Sequence, residues 1–174
     1  MKIRRLVAYI IDWYLITFLM NSLLVAIDVY KKGSLISNVV PISVFDKNEQ
    51  LVILGILFIV EIVYFCVIPR YVFKGQTIGK KILKIKIINN NGSEATFMNL
   101  LRRDLLGVVI VEGSFVPLSN YIRNVLMPYV GRVPVQYLVY LFTIISLVSV
   151  SLLVFEKNGR MFHDYIGGTK VVML

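Results

Sequence analysis

The chain has 174 residues, of which 57% are hydrophobic and 17% charged, and its mean hydropathy is +0.77. These values leave too little polar surface to cover a water-soluble globule of this length, so the composition indicates a membrane protein. The formal net charge is +9, but in a membrane protein the distribution of lysine and arginine is more informative than their total, and no nucleic-acid partner is expected. The single cysteine, Cys66, excludes an internal disulfide.

Four apolar segments are predicted to cross the membrane, at about 6–27, 51–68, 100–118 and 135–155. A spanning helix needs about 20 mostly apolar residues to cross the hydrocarbon core. The third segment is the irregular one, because its apolar stretch reaches spanning length only with part of the sequence before or after it. A tilted or re-entrant segment is the alternative there.

The distribution of lysine and arginine predicts the orientation of these spans. Four spans place both termini on one face, and the segments of that face carry fourteen of the 19 cations, Lys157 among them, against five on the other. The excess of cations marks the cytoplasmic side. We therefore expect a multi-pass protein of the cytoplasmic membrane with both termini inside.

Two segments predicted to be cytoplasmic, 70–96 and 156–174, resemble each other. Residues 75–88 align without a gap to residues 159–172, with three identities, and each segment follows a predicted span. A parallel duplication of two helices and one module is one interpretation, and chance similarity is the other. In residues 83–87 apolar residues alternate with lysine, which predicts a short helix followed by a strand. The predicted fold is an all-α integral membrane protein with four transmembrane helices and two cytoplasmic helix-strand modules whose strands pair as a small sheet.

Three acidic residues lie inside the apolar stretches of the predicted spans, the third of which begins at about residue 105: Asp12, Glu61 and Glu112. Asp12 follows Arg5 by two helical turns, so their side chains share one face, roughly 10 Å apart along the axis, and are expected to approach each other. Carboxylates in a low-dielectric bundle can bind and release protons or sodium. The alternative is a static ion pair or interhelical hydrogen bond that holds helices together.

His163 and Asp164 are adjacent, and His163 is the only histidine of the chain. Neighbouring residues on a helix project about 100° apart, so a catalytic dyad is not expected. Asp164 is expected to cap a turn or to contact Arg4, Arg5 or a module lysine. The sequence has no metal-ligand spacing, serine elbow, phosphate loop or dinucleotide fingerprint, so we expect no enzyme activity, cofactor or metal.

Three segments carry a family resemblance: RRLVAYIID, GQTIGKKILKIKIINNNG and FHDYIGGTKVV. Together they resemble the RDD family of small bacterial membrane proteins. The resemblance implies that residues 1–174 form a single membrane domain. It implies that the arginine and two aspartates of the family name are Arg5, Asp12 and Asp164. The glycine-rich stretch of the family is matched at five positions: Gly75, Gln76, Thr77, Gly79 and Lys80.

Two functions follow as expectations. The first is transport of a small ion or polar solute through a charge network formed by Arg5, Asp12, Asp164, Glu61 and Glu112, with the glycine-rich stretch and His163 in the modules. The second is a non-catalytic accessory or scaffold subunit of a larger membrane complex. The expected partners are the bilayer, anionic lipids at the cytoplasmic face, and further copies of the chain or a larger membrane complex.

Overall fold

Three long helices dominate the computed structural model, which describes residues 1–34, 37–156 and 159–174. They are α1 (Lys2–Lys32), α2 (Lys47–Ile62, continued by the π-helical segment Val63–Val72) and α6 (Arg132–Phe155). Each is long and apolar enough to cross a membrane, with mean hydropathies of 1.8, 3.0 and 2.6. They contain the predicted spans 6–27, 51–68 and 135–155. Lys157, one of the counted cations, lies outside the described residues.

The predicted third span, 100–118, is wrong as a single continuous helix. Helix α4 (Phe97–Leu101) runs into a second π-helical segment, Arg102–Val111, and after a turn the chain continues as α5 (Pro117–Val130). The break has a local cause, because proline at 117 disfavours helical backbone at the residue before it, and Val116 is extended with φ −92° and ψ 126°.

Together, α4 and α5 still extend along α2 from one of its ends to the other. Before α4, Arg70 at the end of the α2 extension donates to the Ala95 carbonyl at 3.3 Å. At the end of α5, the ammonium of Lys47, the first residue of α2, lies 5.3 Å from the ring centre of Tyr129. Helices α4 and α5 therefore cross the bundle once between them, with a break in the helix at residues 112–116; we call this pair the broken crossing.

The two helix-strand modules form as predicted. The first contains α3 (Ile78–Ile82) and β1 (Ile85–Asn89), and the second contains α7 (Phe162–Gly167) and β2 (Thr169–Met173). The strands pair antiparallel as a two-stranded sheet with Ile87 opposite Val171. The predicted pairing of residues 84–88 with 169–172 is confirmed, and both modules lie at the same end of the bundle.

The register of this sheet supports the duplication. A shift of 84 residues converts β1 into β2 and the start of α3 into the start of α7. The same shift converts Ile87 into Val171, and these two residues face each other. When two antiparallel strands are paired about equivalent residues, a local two-fold axis relates the strands. The two proposed halves of the chain therefore meet symmetrically at this sheet.

The long helices bury only one stripe each. The buried residues of α1 recur at helical spacing, while α6 buries only four residues and exposes apolar ones along most of its length. This distribution is typical of helices whose outer surface contacts lipid. One apolar cluster fills the bundle and a second lies beside the sheet; the second includes Ala8, Cys66, Ile85, Ile87, Leu100 and Val171.

The register predicts which cysteine pairs form a disulfide. In a Cys66→Ala background, Lys86→Cys with Val172→Cys should cross-link under mild oxidation, because these residues are direct partners whose Cα atoms are expected about 5.5 Å apart. Lys86→Cys with Val171→Cys is the matched control, since that pair points to opposite faces of the sheet. Intact mass spectrometry detects the loss of two hydrogens. Cross-linking of the control pair alone would show that the register is wrong.

Candidate functional site

Asp12 lies at the junction of α1, α2 and α3 and is 1% exposed. Its carboxylate accepts hydrogen bonds from the Tyr64 hydroxyl at 2.8 Å, the Thr77 hydroxyl at 2.5 Å and the Gly79 backbone N–H at 2.8 Å. The Lys80 ammonium lies 3.4 Å away. Burial lowers the pKa of Lys80 and the nearby Asp12 carboxylate opposes that shift, so the pKa stays below its ordinary value. Asp12 is thus fully supplied with donors.

The glycine-rich stretch allows this close approach. A Cβ atom at Gly79 would lie 2.4 Å from the Ala8 carbonyl oxygen and 2.9 Å from the Asp12 carboxylate, so only glycine lets α3 pack on α1 here. Thr77 also caps α3 by accepting from the Lys80 backbone N–H.

The first two residues of the stretch fix β1. Gly75 has a φ of +95°, and a Cβ atom there would lie 2.4 Å from the Ile87 carbonyl oxygen. The buried side-chain amide of Gln76 donates to the Ile85 carbonyl at 2.8 Å. The matched residues therefore build the module and dock it on α1.

Asp164 is fully buried in α7 and neutralised by two arginines. It accepts from Arg5 at 2.5 Å, from Arg103, and from the Met161 backbone N–H at 2.9 Å. Burial alone would raise the pKa of Asp164, but Arg103, His163 and Arg5 outweigh it and hold the pKa below its ordinary value. The predicted capping and arginine contact of Asp164 are confirmed.

The predicted direct pair between Arg5 and Asp12 is wrong. The two residues share the buried stripe of α1, but each meets a different module: Arg5 pairs with Asp164 of α7, and Asp12 pairs with Lys80 of α3. Two helical turns separate the side chains, and a partner from another segment lies closer to each.

Glu112 follows the second π-helical segment, at the break in the crossing. Its carboxylate accepts from the Ser149 hydroxyl at 2.5 Å and from the His163 backbone N–H at 3.1 Å, and it lies 2.9 Å from Nδ1 of His163. Ser146 donates to the Glu112 carbonyl at 2.8 Å. Glu112 thus joins α6 and α7 by interhelical hydrogen bonds, the static alternative considered from the sequence.

Asp12 and Glu112 have equivalent surroundings in the two halves. Each accepts from a backbone N–H at the second residue of a short module helix, and Gly79 and His163, which supply it, correspond under the 84-residue shift. Each also accepts a hydroxyl hydrogen bond from the long helix before its module. N–H groups in the first turn of a helix lack intrahelical acceptors, so a carboxylate there is stabilised.

Glu61 and Asp104 are the exceptions. They are 1% and 4% exposed, and Glu61 Oε2 and Asp104 Oδ2 have no hydrogen-bond partner among the described residues. Asp104 lines a cavity of about 150 Å³, large enough for several water molecules. The polar residues that share this lining with it include Arg5, Lys80, Arg103, Glu112 and His163.

The sequence prediction missed Arg103 and Asp104. Both stand just before the apolar stretch of the third segment, where the sequence marks Arg103 only as a charge that orients the spans and gives no sign that Asp104 is buried. Nothing in the spacing indicates that Arg103 meets Asp164, 61 residues later. Within the described ranges, no group of three or more His, Cys, Asp or Glu side chains is placed to hold a metal ion.

The pairing of Asp12 with Lys80 predicts a stability loss with a specific rescue. Asp12→Asn should lower the free energy of unfolding by about 3 kcal/mol, because it leaves the Lys80 charge buried without its carboxylate. Adding Lys80→Met should recover part of this loss by removing that charge. Thermal melting of the purified protein in detergent measures both effects.

Glu94→Gln is the matched control, since the Glu94 side chain is 61% exposed and its ion pair with Arg70 is expected to contribute little. An Asp12→Asn variant that melts like the wild type would contradict the account of this site.

Comparison with known proteins is consistent with the arrangement of Arg5, Asp12 and Asp164. The RDD family matches residues 3–168, nearly the whole chain. No curated protein and no solved structure matches. The arginine and two aspartates that the resemblance assigns all lie in buried contacts between α1 and the modules. The chain belongs to the RDD family.

Proposed function

We propose that this chain is a multi-pass protein of the bacterial cytoplasmic membrane that moves, or helps to move, a small cation. The observation that carries the proposal is the pair of buried carboxylates, Glu61 and Asp104. Each has an oxygen without a hydrogen-bond partner among the described residues, and Asp104 lines a cavity. Ionisable residues buried among membrane helices are costly and rare, and they mark ion pathways and proton relays. The three apolar helices and the family match support the membrane location.

The balance of charge favours a cation as the transported species. The buried polar cluster contains five carboxylates, on Asp12, Glu61, Asp104, Glu112 and Asp164, and four basic side chains, on Arg5, Lys80, Arg103 and His163. The basic groups already contact Asp12, Asp164 and Glu112. The acids left without a basic partner attract positive charge.

A purely structural role explains only some of these acids. Asp12, Asp164 and Glu112 accept hydrogen bonds from several elements and hold helices together. Glu61 and Asp104 are different, because at least one oxygen of each is buried without a hydrogen-bond partner in the described ranges. Burying a carboxylate oxygen without a hydrogen-bond partner destabilises the fold. We therefore propose that these two acids serve function and not stability. The accessory-subunit alternative gives no reason for this pair.

The pathway is expected to require more than one copy of the chain. Three continuous helices and one broken crossing are few for a route enclosed within one chain, so we propose a symmetric homo-oligomer. The break at residues 112–116 resembles the discontinuous helices that surround substrate sites in transporters.

The orientation we propose places the sheet and both termini in the cytoplasm, because fourteen of 19 cations belong to the segments of that face. Exposed lysines of the first module are expected to attract anionic lipid headgroups there.

Cysteine accessibility tests this orientation. In a Cys66→Ala background, an impermeant maleimide added to intact cells should label Ser34→Cys and leave Asn90→Cys unlabelled until the membrane is opened. Both positions are exposed in the structure, so a difference in labelling reports the side of the membrane. Labelling of Asn90→Cys alone in intact cells would reverse the proposed orientation.

Transport is tested in sealed vesicles that contain the purified protein and a pH-sensitive dye. A pulse of external sodium, potassium or lithium should change the internal pH if the chain exchanges cations for protons. Vesicles without protein and vesicles with Glu94→Gln are the controls, and the latter should behave like the wild type. Folded protein that gives no response to any cation, alone or as an oligomer, would favour the accessory role.

A further inference from the structure

We propose that Glu61 and Asp104 share one exchangeable proton, and that this is the proton which the transported cation displaces. The first statement concerns the pair itself, and the second rests on the proposed function. Neither Asp104 nor the pair is singled out by the resemblance, which points to Arg5, Asp12 and Asp164.

The two carboxylates lie at matching irregularities of the backbone. Glu61 lies two residues before the π-helical segment Val63–Val72, and Asp104 lies at the start of the segment Arg102–Val111. Segments of π-helix are rare and are frequent at functional sites. Helix α4 packs against the α2 extension, and the negative charge of Asp104 acts on Glu61.

Two neighbouring carboxylates buried in a low-dielectric interior cannot both be ionised unless hydrogen-bond donors or positive charges stabilise them. Each has an oxygen buried without a hydrogen-bond partner in the described part of the chain. The basic groups that act on the Asp104 charge are Arg103 and Lys80, but Arg103 contacts Asp164 and Lys80 contacts Asp12. One proton removes one negative charge and lets the protonated carboxyl donate a hydrogen bond to the other.

The remaining acids of the cluster do not suit this role. Asp12 and Asp164 each accept from at least three donors, and Glu112 accepts from Ser149 and the His163 backbone. Adding a proton to any of them would oppose a donor that already points at the carboxylate. The exchangeable proton is therefore placed on the pair that lacks donors.

The cavity gives the proton an acceptor, because it has room for water. Asp104 lines the cavity. The proton leaves the Asp104 carboxyl for a water molecule in the cavity, and a monovalent cation takes its place beside the two carboxylates. The charge of the site is the same before and after, so the exchange does not require a bare charge to be buried.

Dicyclohexylcarbodiimide tests the pair directly, because it modifies protonated carboxyl groups in apolar surroundings. Wild-type protein in native membranes is treated at neutral pH and the adduct is located by peptide mass spectrometry. We expect the adduct on Glu61 or Asp104 and none on Asp12, Glu112 or Asp164. Sodium or lithium should reduce the labelling several-fold, whereas choline at the same concentration should not.

The variants Glu61→Gln and Asp104→Asn should each abolish the adduct, and Glu94→Gln should leave it unchanged. An adduct on Asp12, Glu112 or Asp164 instead, or no adduct on the pair in the wild type, would overturn the shared proton. This result needs no variant, so it does not depend on whether a substituted protein folds.

The two proposals fail in different ways. Labelling of the pair that no cation reduces would overturn the displacement step and leave the shared proton in place. Labelling that sodium reduces, in a protein that gives no pH change in sealed vesicles, would overturn transport while retaining a cation-binding carboxylate pair.

Discussion

The fold depends on the hydrogen bonds that stabilise one buried carboxylate, that of Asp12. Asp12 lies on the inner stripe of an apolar helix, where an ionised group without donors would be strongly unfavourable. Its donors come from the hydroxyl of Tyr64 on α2 and from the start of α3. The module docks on α1 to supply them, and Gly79 is the residue that lets it come close enough.

The second half of the chain repeats this solution with different residues. Glu112 takes the place of Asp12, and His163 supplies the backbone N–H that Gly79 supplies in the first half. With each module fixed to a helix at the same end of the bundle, β1 and β2 can pair about a local two-fold axis. Arg5 then connects the halves, since it belongs to α1 and pairs with Asp164 of the second module.

The sequence predicted those features that depend on local patterns. Apolar runs located α1, α2 and α6, and the alternation of lysine with apolar residues over 83–87 located β1. The gapless alignment of 75–88 with 159–172 even contained the register of the sheet, because it equates Ile87 with Val171.

Features that depend on distant contacts could not be predicted in this way. Arg5 pairs with a residue 159 positions away rather than with Asp12, and Glu112 meets His163 across 51 residues. The π-helical segments have no spacing signal in the sequence, so the burial of Asp104 could not be predicted. Pro117, by contrast, is a local signal in the sequence for the break after the third segment.

The central claim is that the buried acids fall into two groups: three whose carboxylates are held by hydrogen-bond donors, and a pair that holds a proton. Infrared difference spectroscopy of the purified protein, comparing light and heavy water, detects the carbonyl stretch of protonated carboxyl groups directly. The account predicts such a band at neutral pH that disappears in Glu61→Gln or Asp104→Asn and persists in Glu112→Gln. A wild-type spectrum without a protonated carboxyl band, or a band unaffected by substitution of either member of the pair, would contradict it.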